Sequence, residues 1–156
     1  MNVASIMTRK VFTVDMDDSL KTVRNIFKHV EFHHILVDDG KKLVGVISDR
    51  DLLKALSPFL GTRSENRDDT IALNKKAHQI MSKIIITIDA ETSIEQANDL
   101  LLENDISCLP IISHQGRVEG IVTWKDILGF YLKNTKGNKH KKGRINSTAK
   151  LAGKHK

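Results

Sequence analysis

The sequence predicts a mixed α/β (α+β) fold built from two tandem copies of a β-α-β-β-α unit. Three observations carry this. The chain repeats itself once, each copy alternates short apolar runs with amphipathic helical stripes, and a polar, basic segment follows the second copy.

The repeat is read directly from the residues. At an offset of 74, Ile6, Met7, Thr13, Asp15 and Ser19 meet Ile80, Met81, Thr87, Asp89 and Ser93. The offset becomes 75 inside a hairpin, where VDDGKKLVG is one residue shorter than IISHQGRVEG, and beyond it Gly45 meets Gly120 and Asp51 meets Asp126. Hairpin loops tolerate such a difference. The chain thus divides into a first repeat (1–58), a linker (59–76), a second repeat (77–133) and a tail (134–156).

Each copy opens on a short apolar strand, Val11 to Val14 and Ile84 to Ile88. A cap and an amphipathic helix follow, with Asp18 and Thr92 as the expected N-caps and Thr92 forming a capping box with Glu95. Leu20, Val23, Ile26, Phe27 and Val30 fall on one helical stripe, as do Ile94, Ala97, Leu100 and Leu101, so both stripes are core. Next comes a hairpin, His34 to Val37 with Leu43 to Ile47, then Leu109 to Ile112 with Val118 to Val122, turning at Gly40 and Gly116. A closing helix runs from about Asp49 to Leu56 and from Trp124 to Leu132. Between the copies GTRSENRDD is polar, which predicts a partly mobile link from Ser57 to Lys76, irregular near Gly61 to Asp69, with its ends tied to the module by Leu60, Ile71 and Leu73.

Charge is distributed unevenly. The chain carries +6 in 156 residues, but residues 1–133 hold 17 Lys or Arg against 19 Asp or Glu, and the tail holds eight cations and no acid. The globular part is mildly acidic. The tail has no aromatic residue and too little apolar surface to fold alone, so it is expected to be disordered. Cys108, the single cysteine, has no partner for a disulfide and sits in a strand pattern as core. No ligand set has zinc-site spacing, no run of 18 apolar residues appears, and MNVASIMTRK lacks the apolar stretch of a signal peptide. The expectation is a cytoplasmic protein without metal or membrane contact. No GxSxG, P-loop or Gly-rich dinucleotide turn is present, and Cys108 has no histidine at a recognisable spacing, which argues against an enzyme.

The strand-to-helix junctions read GVISDRDLL (Gly45 to Leu53) and GIVTWKDIL (Gly120 to Leu128), both fitting G-h-h-[ST]-x-x-D-h with h apolar. With the IMT and IMS starts and the Thr13 and Thr87 strands, this pattern over residues 1–133 closely resembles the cystathionine-beta-synthase (CBS) domain family. The resemblance implies two repeats packed sheet against sheet by pseudo-twofold symmetry, leaving clefts between them, and modules that pair into homodimers. It implies a regulatory module that senses an adenosine nucleotide (AMP, ADP or ATP) and signals by conformational change, with S-adenosylmethionine or another adenosyl compound as the alternative ligand.

Two readings of Ser48–Asp51 and Thr123–Asp126 are open. A hydroxyl with an acid three residues on is a helix cap. The same arrangement binds nucleotide, since a helix N-terminus favours phosphate and a carboxylate accepts from two adjacent ribose hydroxyls. The resemblance assigns those roles to Ser48, Asp51, Thr123 and Asp126. It places the base against Phe12, Thr13, Leu36 and Val37 in one half-site, and against Ile86, Thr87, Pro110 and Ile111 in the other. Core burial is the competing reading for these strand residues. Repeat 2 has Leu109-Pro110-Ile111, like the family's h-P-V, whereas repeat 1 has Ile35-Leu36-Val37 and lacks the proline. Arg50 and Lys125 inside the motifs, and Arg9, Lys10 and Lys83 ahead of the first strands, are candidate phosphate partners, as are His33 and His34. Surface charge is the alternative for each.

Leu53, Leu56, Phe130 and Tyr131 predict an apolar helix face that pairs two modules, and the regulated protein partner is unknown from sequence. A nucleic-acid or ribosome-associated factor acting through the basic tail is the second functional reading.

Overall fold

The structure, a computed structural model, describes residues 1–136. Repeat 1 comprises β1 (Thr13–Asp15), α1 (Leu20–His29), β2 (His34–Asp38), β3 (Leu43–Ser48) and α2 (Asp49–Ala55). The link holds α3 (Arg67–Ile71), a 3-10 turn (Ala72–Asn74) and α4 (Ala77–Ile80). Repeat 2 contributes α5 (Ile94–Asn104), β4 (Cys108–Ile112), β5 (Val118–Thr123) and α6 (Trp124–Lys136). The first sheet has the order β1-β2-β3, with β1 parallel to β2 and β2 antiparallel to β3, and the second is the β4-β5 hairpin. Both hairpins turn on a left-handed glycine, Gly40 at φ 92° and Gly116 at φ 81°.

The expected strand Ile84 to Ile88 does not form; only Ile88 bridges to Ile111. The chemistry of Pro110 accounts for this. In repeat 1 the N–H of Leu36 donates to the carbonyl of Phe12 at 2.9 Å. Pro110 stands at the equivalent position and has no N–H to give.

The helix caps fall one residue later than expected. Ser19 accepts from the N–H of Thr22, and Ser93 forms a capping box with Gln96. Asp18 instead accepts from the N–H of Asp15 at 2.8 Å, and the Thr92 hydroxyl donates to Asp89 at 3.3 Å, so both close the turn before the helix. The linker also departs from expectation. Asn66 and Asp69 form a reciprocal capping box that starts α3, so the end of the expected irregular stretch is helical. Asp69 is buried, and the Ser57 hydroxyl and the Asn66 N–H hold its carboxyl below the usual carboxylate range. Helix α6 runs to Lys136, past the expected end at Leu132 and into the expected tail. The remainder of that tail, residues 137–156, lies outside the described residues.

The two repeats exchange their lead-in segments. Val3 is fully buried in the core of repeat 2 with Ile94, Leu109 and Val122, and Ile6 and Met7 pack beside it. Ala77 is fully buried in the core of repeat 1 with Leu20, Ile35 and Ile47, and Ile80 and Met81 pack there. Thr8 bridges to Ile121 and Val46 bridges to Ser82, each by two hydrogen bonds of 2.9–3.1 Å. These contacts explain the glycines of the repeated motif. A Cβ on Gly45 would lie 2.3 Å from Sδ of Met81, and one on Gly120 would lie 2.7 Å from the carbonyl oxygen of Thr8. A third apolar cluster of Leu36, Val46, Cys108 and Ile121 joins sheet to sheet.

Of the expected pairing face, Leu56 and Phe130 pack against the cores of repeats 1 and 2, while Leu53 is 75% and Tyr131 38% exposed. Leu128, the counterpart of Leu53 in the second repeat, is 57% exposed.

Candidate functional site

The ends of β3 and β5 deliver their hydroxyl residues to the first turn of the following helix. In repeat 1 the N–H of Asp51 donates to Ser48 Oγ at 3.0 Å and the N–H of Ser48 donates to Asp51 Oδ2 at 2.9 Å. In repeat 2 the N–H of Asp126 donates to Thr123 Oγ1 at 3.3 Å, while the N–H and hydroxyl of Thr123 donate to Asp126 Oδ2 at 2.9 and 3.1 Å. Both pairs are therefore caps. Each cap engages Oδ2 only, and among the described residues Oδ1 of Asp51 and of Asp126 takes no hydrogen bond. One carboxylate can therefore cap its helix and still accept from a ligand.

Both capped termini open into one cleft of ≈ 1750 Å³ lined by both repeats. A usual small-molecule pocket holds roughly 300–1,000 Å³, so there is room for a nucleotide. In its lining His34 Nε2 and Ser107 Oγ share a hydrogen bond of 2.8 Å that crosses from one repeat to the other. Burial lowers the pKa of His34 from the usual 6.5, and Asp49, Asp51 and Asp126 pull it back up. His33 donates from Nδ1 to Asp49 Oδ2 at 2.8 Å. Cys108 is buried, and its thiol is pushed up to about 12, so it is a core residue without nucleophilic character.

Of the residues singled out in the sequence, Ser48, Arg50, Asp51, Ile86, Pro110, Thr123 and Asp126 line this cleft. Thr87 does not; it opens on a separate shallow groove with Asp89, Asp99 and Glu103. The side chains of Leu36, Val37 and Ile111 are buried in apolar clusters, Phe12 packs on the core of repeat 1, and Thr13 is exposed on β1. None of these five lines the cleft. Leu36 and Val37, on opposite faces of β2, enter the inter-sheet cluster and the core of repeat 1, and Ile111 enters the core of repeat 2, the competing reading for such positions.

The cations sort similarly. Lys125 lines the cleft with Arg50, whereas Arg9, Lys10 and Lys83 do not. Lys54 and Lys133 do, and the sequence reading missed them. Their signal was helical spacing, since Lys54 follows Arg50 by one turn and Lys133 follows Asp126 by two. Ser107 had no such signal, because its partner is distant in sequence. Among the described residues, no group of three or more His, Cys, Asp or Glu is arranged to hold a metal, and no helix is long and apolar enough to cross a membrane.

Set against known proteins, the chain matches the CBS domain family over residues 3–58 and 77–133. It is 31% identical over 133 residues to a CBS domain-containing protein of Dictyostelium discoideum, an alignment spanning 84% of this chain and 91% of that one. The structure of CBSX2 in complex with AMP superposes with a TM-score of 0.67 at 25% identity, covering 86% of this chain and 98% of that one. The CBS domain pair of MJ0100, in complex with 5-methylthioadenosine and S-adenosyl-L-methionine, superposes with a TM-score of 0.70 at 23% identity, again covering 86% and 98%. Two matched domains, one in each repeat and together spanning most of the described chain, place this protein in the CBS domain family.

Proposed function

We propose that the chain is a regulatory module that binds an adenosine nucleotide (AMP, ADP or ATP) in the inter-repeat cleft and transmits its occupancy as a change in the angle between repeats. The observation that carries this reading is the pair of capped helix termini opening from opposite repeats into one cleft, each with a carboxylate oxygen left over. A ribose diol donates to that oxygen of Asp126, the acceptor in the repeat that keeps the family's proline at Pro110. Phosphates are met by Arg50, Lys54, Lys125 and Lys133, which line the same cleft. The complex of CBSX2 with AMP supports the choice of ligand.

A second ligand class, an adenosyl compound without phosphates, is favoured by the apolar part of the rim. Met1, Ile84 and Leu102 line the cleft and are all more than 70% exposed. Two such modules pair through the exposed Leu53 and Leu128.

Calorimetric titration with AMP, ADP, ATP and S-adenosylmethionine tests the function on the parent chain and on Asp126→Asn. Asparagine retains an oxygen for the Thr123 N–H but replaces Oδ1 by an amide donor. Loss of a charged acceptor is worth roughly 1.5–3 kcal/mol, about tenfold to a hundredfold in Kd, with little change in melting temperature. Unchanged affinity in Asp126→Asn would make this acid a cap and nothing more.

A further inference from the structure

Resting on the reading above, we propose that the two half-sites are not equivalent: the module holds one ligand per chain, in the half-site of repeat 2, while repeat 1 closes its own with Val11 and the tilted ring pair Phe12–Phe32.

The same stretch of chain behaves differently in the two copies. In repeat 2, Ile84, Ile85 and Ile86 line the cleft together with Pro110. Their counterparts in repeat 1, at the offset of 74, are Lys10, Val11, Phe12 and Leu36, and none of these lines it. Val11 and Leu36 have turned into the apolar cluster between the sheets. Phe12 packs on the core of repeat 1, and its ring centroid lies 5.3 Å from that of Phe32 at an interplanar angle of 57°. Phe32 itself borders the cleft. The equivalent positions in repeat 2 are Ile86 and Ile106, two small β-branched side chains where repeat 1 has two phenyl rings in contact. Where repeat 2 presents Ile86 to the cleft, repeat 1 turns Phe12 to its core and backs it with Phe32 at the cleft border.

The backbone separates the copies in the same sense. The Phe12 carbonyl already accepts from Leu36 N–H at 2.9 Å. Pro110 offers no such donor, and among the described residues Ile84, Ile85 and Ile86 make no backbone hydrogen bond. Ile86 is half-buried and lines the cleft, and its carbonyl takes no backbone hydrogen bond among the described residues, which leaves an acceptor for the exocyclic amino group of an adenine. In repeat 1 the first strand and Leu36 give the cleft no wall, and the Phe12 carbonyl is already taken. Ser48 and Asp51 then act there as the cap of α2, whereas Thr123 and Asp126 do both jobs on the longer α6.

Calorimetric titration of the full chain, with AMP and separately with S-adenosylmethionine, reads the stoichiometry. One equivalent per chain is expected, with Asp51→Asn binding within about threefold of the parent and Asp126→Asn at least tenfold weaker. The exchange Phe12→Ile, Phe32→Ile, Leu36→Pro writes repeat 2 into repeat 1 and is expected to admit a second equivalent, lost again when Asp51→Asn is added. If that variant does not fold, the parent stoichiometry and the two single carboxylate variants still decide. Two equivalents on the parent, or equal losses from Asp51→Asn and Asp126→Asn, overturn the inference and leave the function standing. A folded exchange variant that still takes one equivalent overturns the closure by these residues. No heat from any adenosine probe refutes the function and the inference together.

Discussion

Replacing Gly120 by alanine probes the exchange of lead-in segments that joins the repeats. A Cβ there lies 2.7 Å from the carbonyl oxygen of Thr8 and 3.2 Å from Sδ of Met7. The oxygen cannot step aside alone, because it accepts from the N–H of Ile121 at 2.9 Å while the Thr8 N–H donates back to Ile121 at 2.9 Å. Relieving the clash stretches both bonds and drags Ile6 and Met7 off the core of repeat 2. Two hydrogen bonds at about 1 kcal/mol each, plus part of that packing, give about 2–3 kcal/mol. For a domain of this size that is about 4–12 °C in Tm. Gly45→Ala looks worse by distance, with Sδ of Met81 at 2.3 Å and Cγ at 2.7 Å. Those atoms belong to a flexible, unbranched side chain that can change rotamer, so about 1 kcal/mol is expected. Thermal melts followed by circular dichroism rank the two. A Gly45→Ala variant that melts below Gly120→Ala refutes the reasoning, since it would mean that side-chain overlap outweighs a pinned backbone.

Two further outcomes follow from the cleft and the helix faces. Because burial holds His34 below its usual 6.5, the unfolded chain binds the proton more readily, so stability is full above that pH and falls as pH drops below it. The parent should lose more Tm than His34→Asn between about pH 7.5 and about pH 5.5, and equal losses refute the assignment. Pairing through the exposed Leu53 and Leu128 should make the parent dimeric by light scattering at micromolar concentration, and Leu53→Glu with Leu128→Glu monomeric; a monomeric parent removes the claim.

Much of this architecture was legible because the repeat is written in the residues that need it. Gly45 and Gly120 matched at a fixed offset, and the structure gives the physical cause: the IM segment of the opposite repeat lies against each of them. The hairpins were legible from alternation and from Gly40 and Gly116. What was not legible came from contacts between distant residues or from competition between neighbours. Thr92 and Ser93 are both good caps, and only the Asp89 turn decides which one closes the helix. Composition alone marked Asn66 to Asp69 as loose, although the residues themselves spell a capping box. The exchange of lead-ins carried no local signal, and neither did the bond from His34 to Ser107. The base-contact residues were carried over by strand position, and strand position also sends alternate side chains into the core, as happened to Val37 and Ile111.

The exchange also limits the motion that a ligand can drive. Separating the repeats breaks the bridges Thr8–Ile121 and Val46–Ser82, four hydrogen bonds together worth about 4 kcal/mol, and exposes the cluster around Leu36 and Cys108. Coupling free energies between sites are typically 1–3 kcal/mol, too small for that. On the proposed function, the expected ligand response is therefore rotation of the repeats about the two bridges rather than their separation. The segments that leave the bridges absorb the rotation, and the stretch Ile84–Ile86, which makes no backbone hydrogen bond among the described residues, is the softer one. Hydrogen exchange on the parent with and without AMP should show unchanged protection at the amides of Thr8, Val46, Ser82 and Ile121, and slowed exchange at Ile84, Ile85 and Ile86. Loss of protection at the bridge amides on ligand addition would mean that the repeats part, and the hinge account would be wrong.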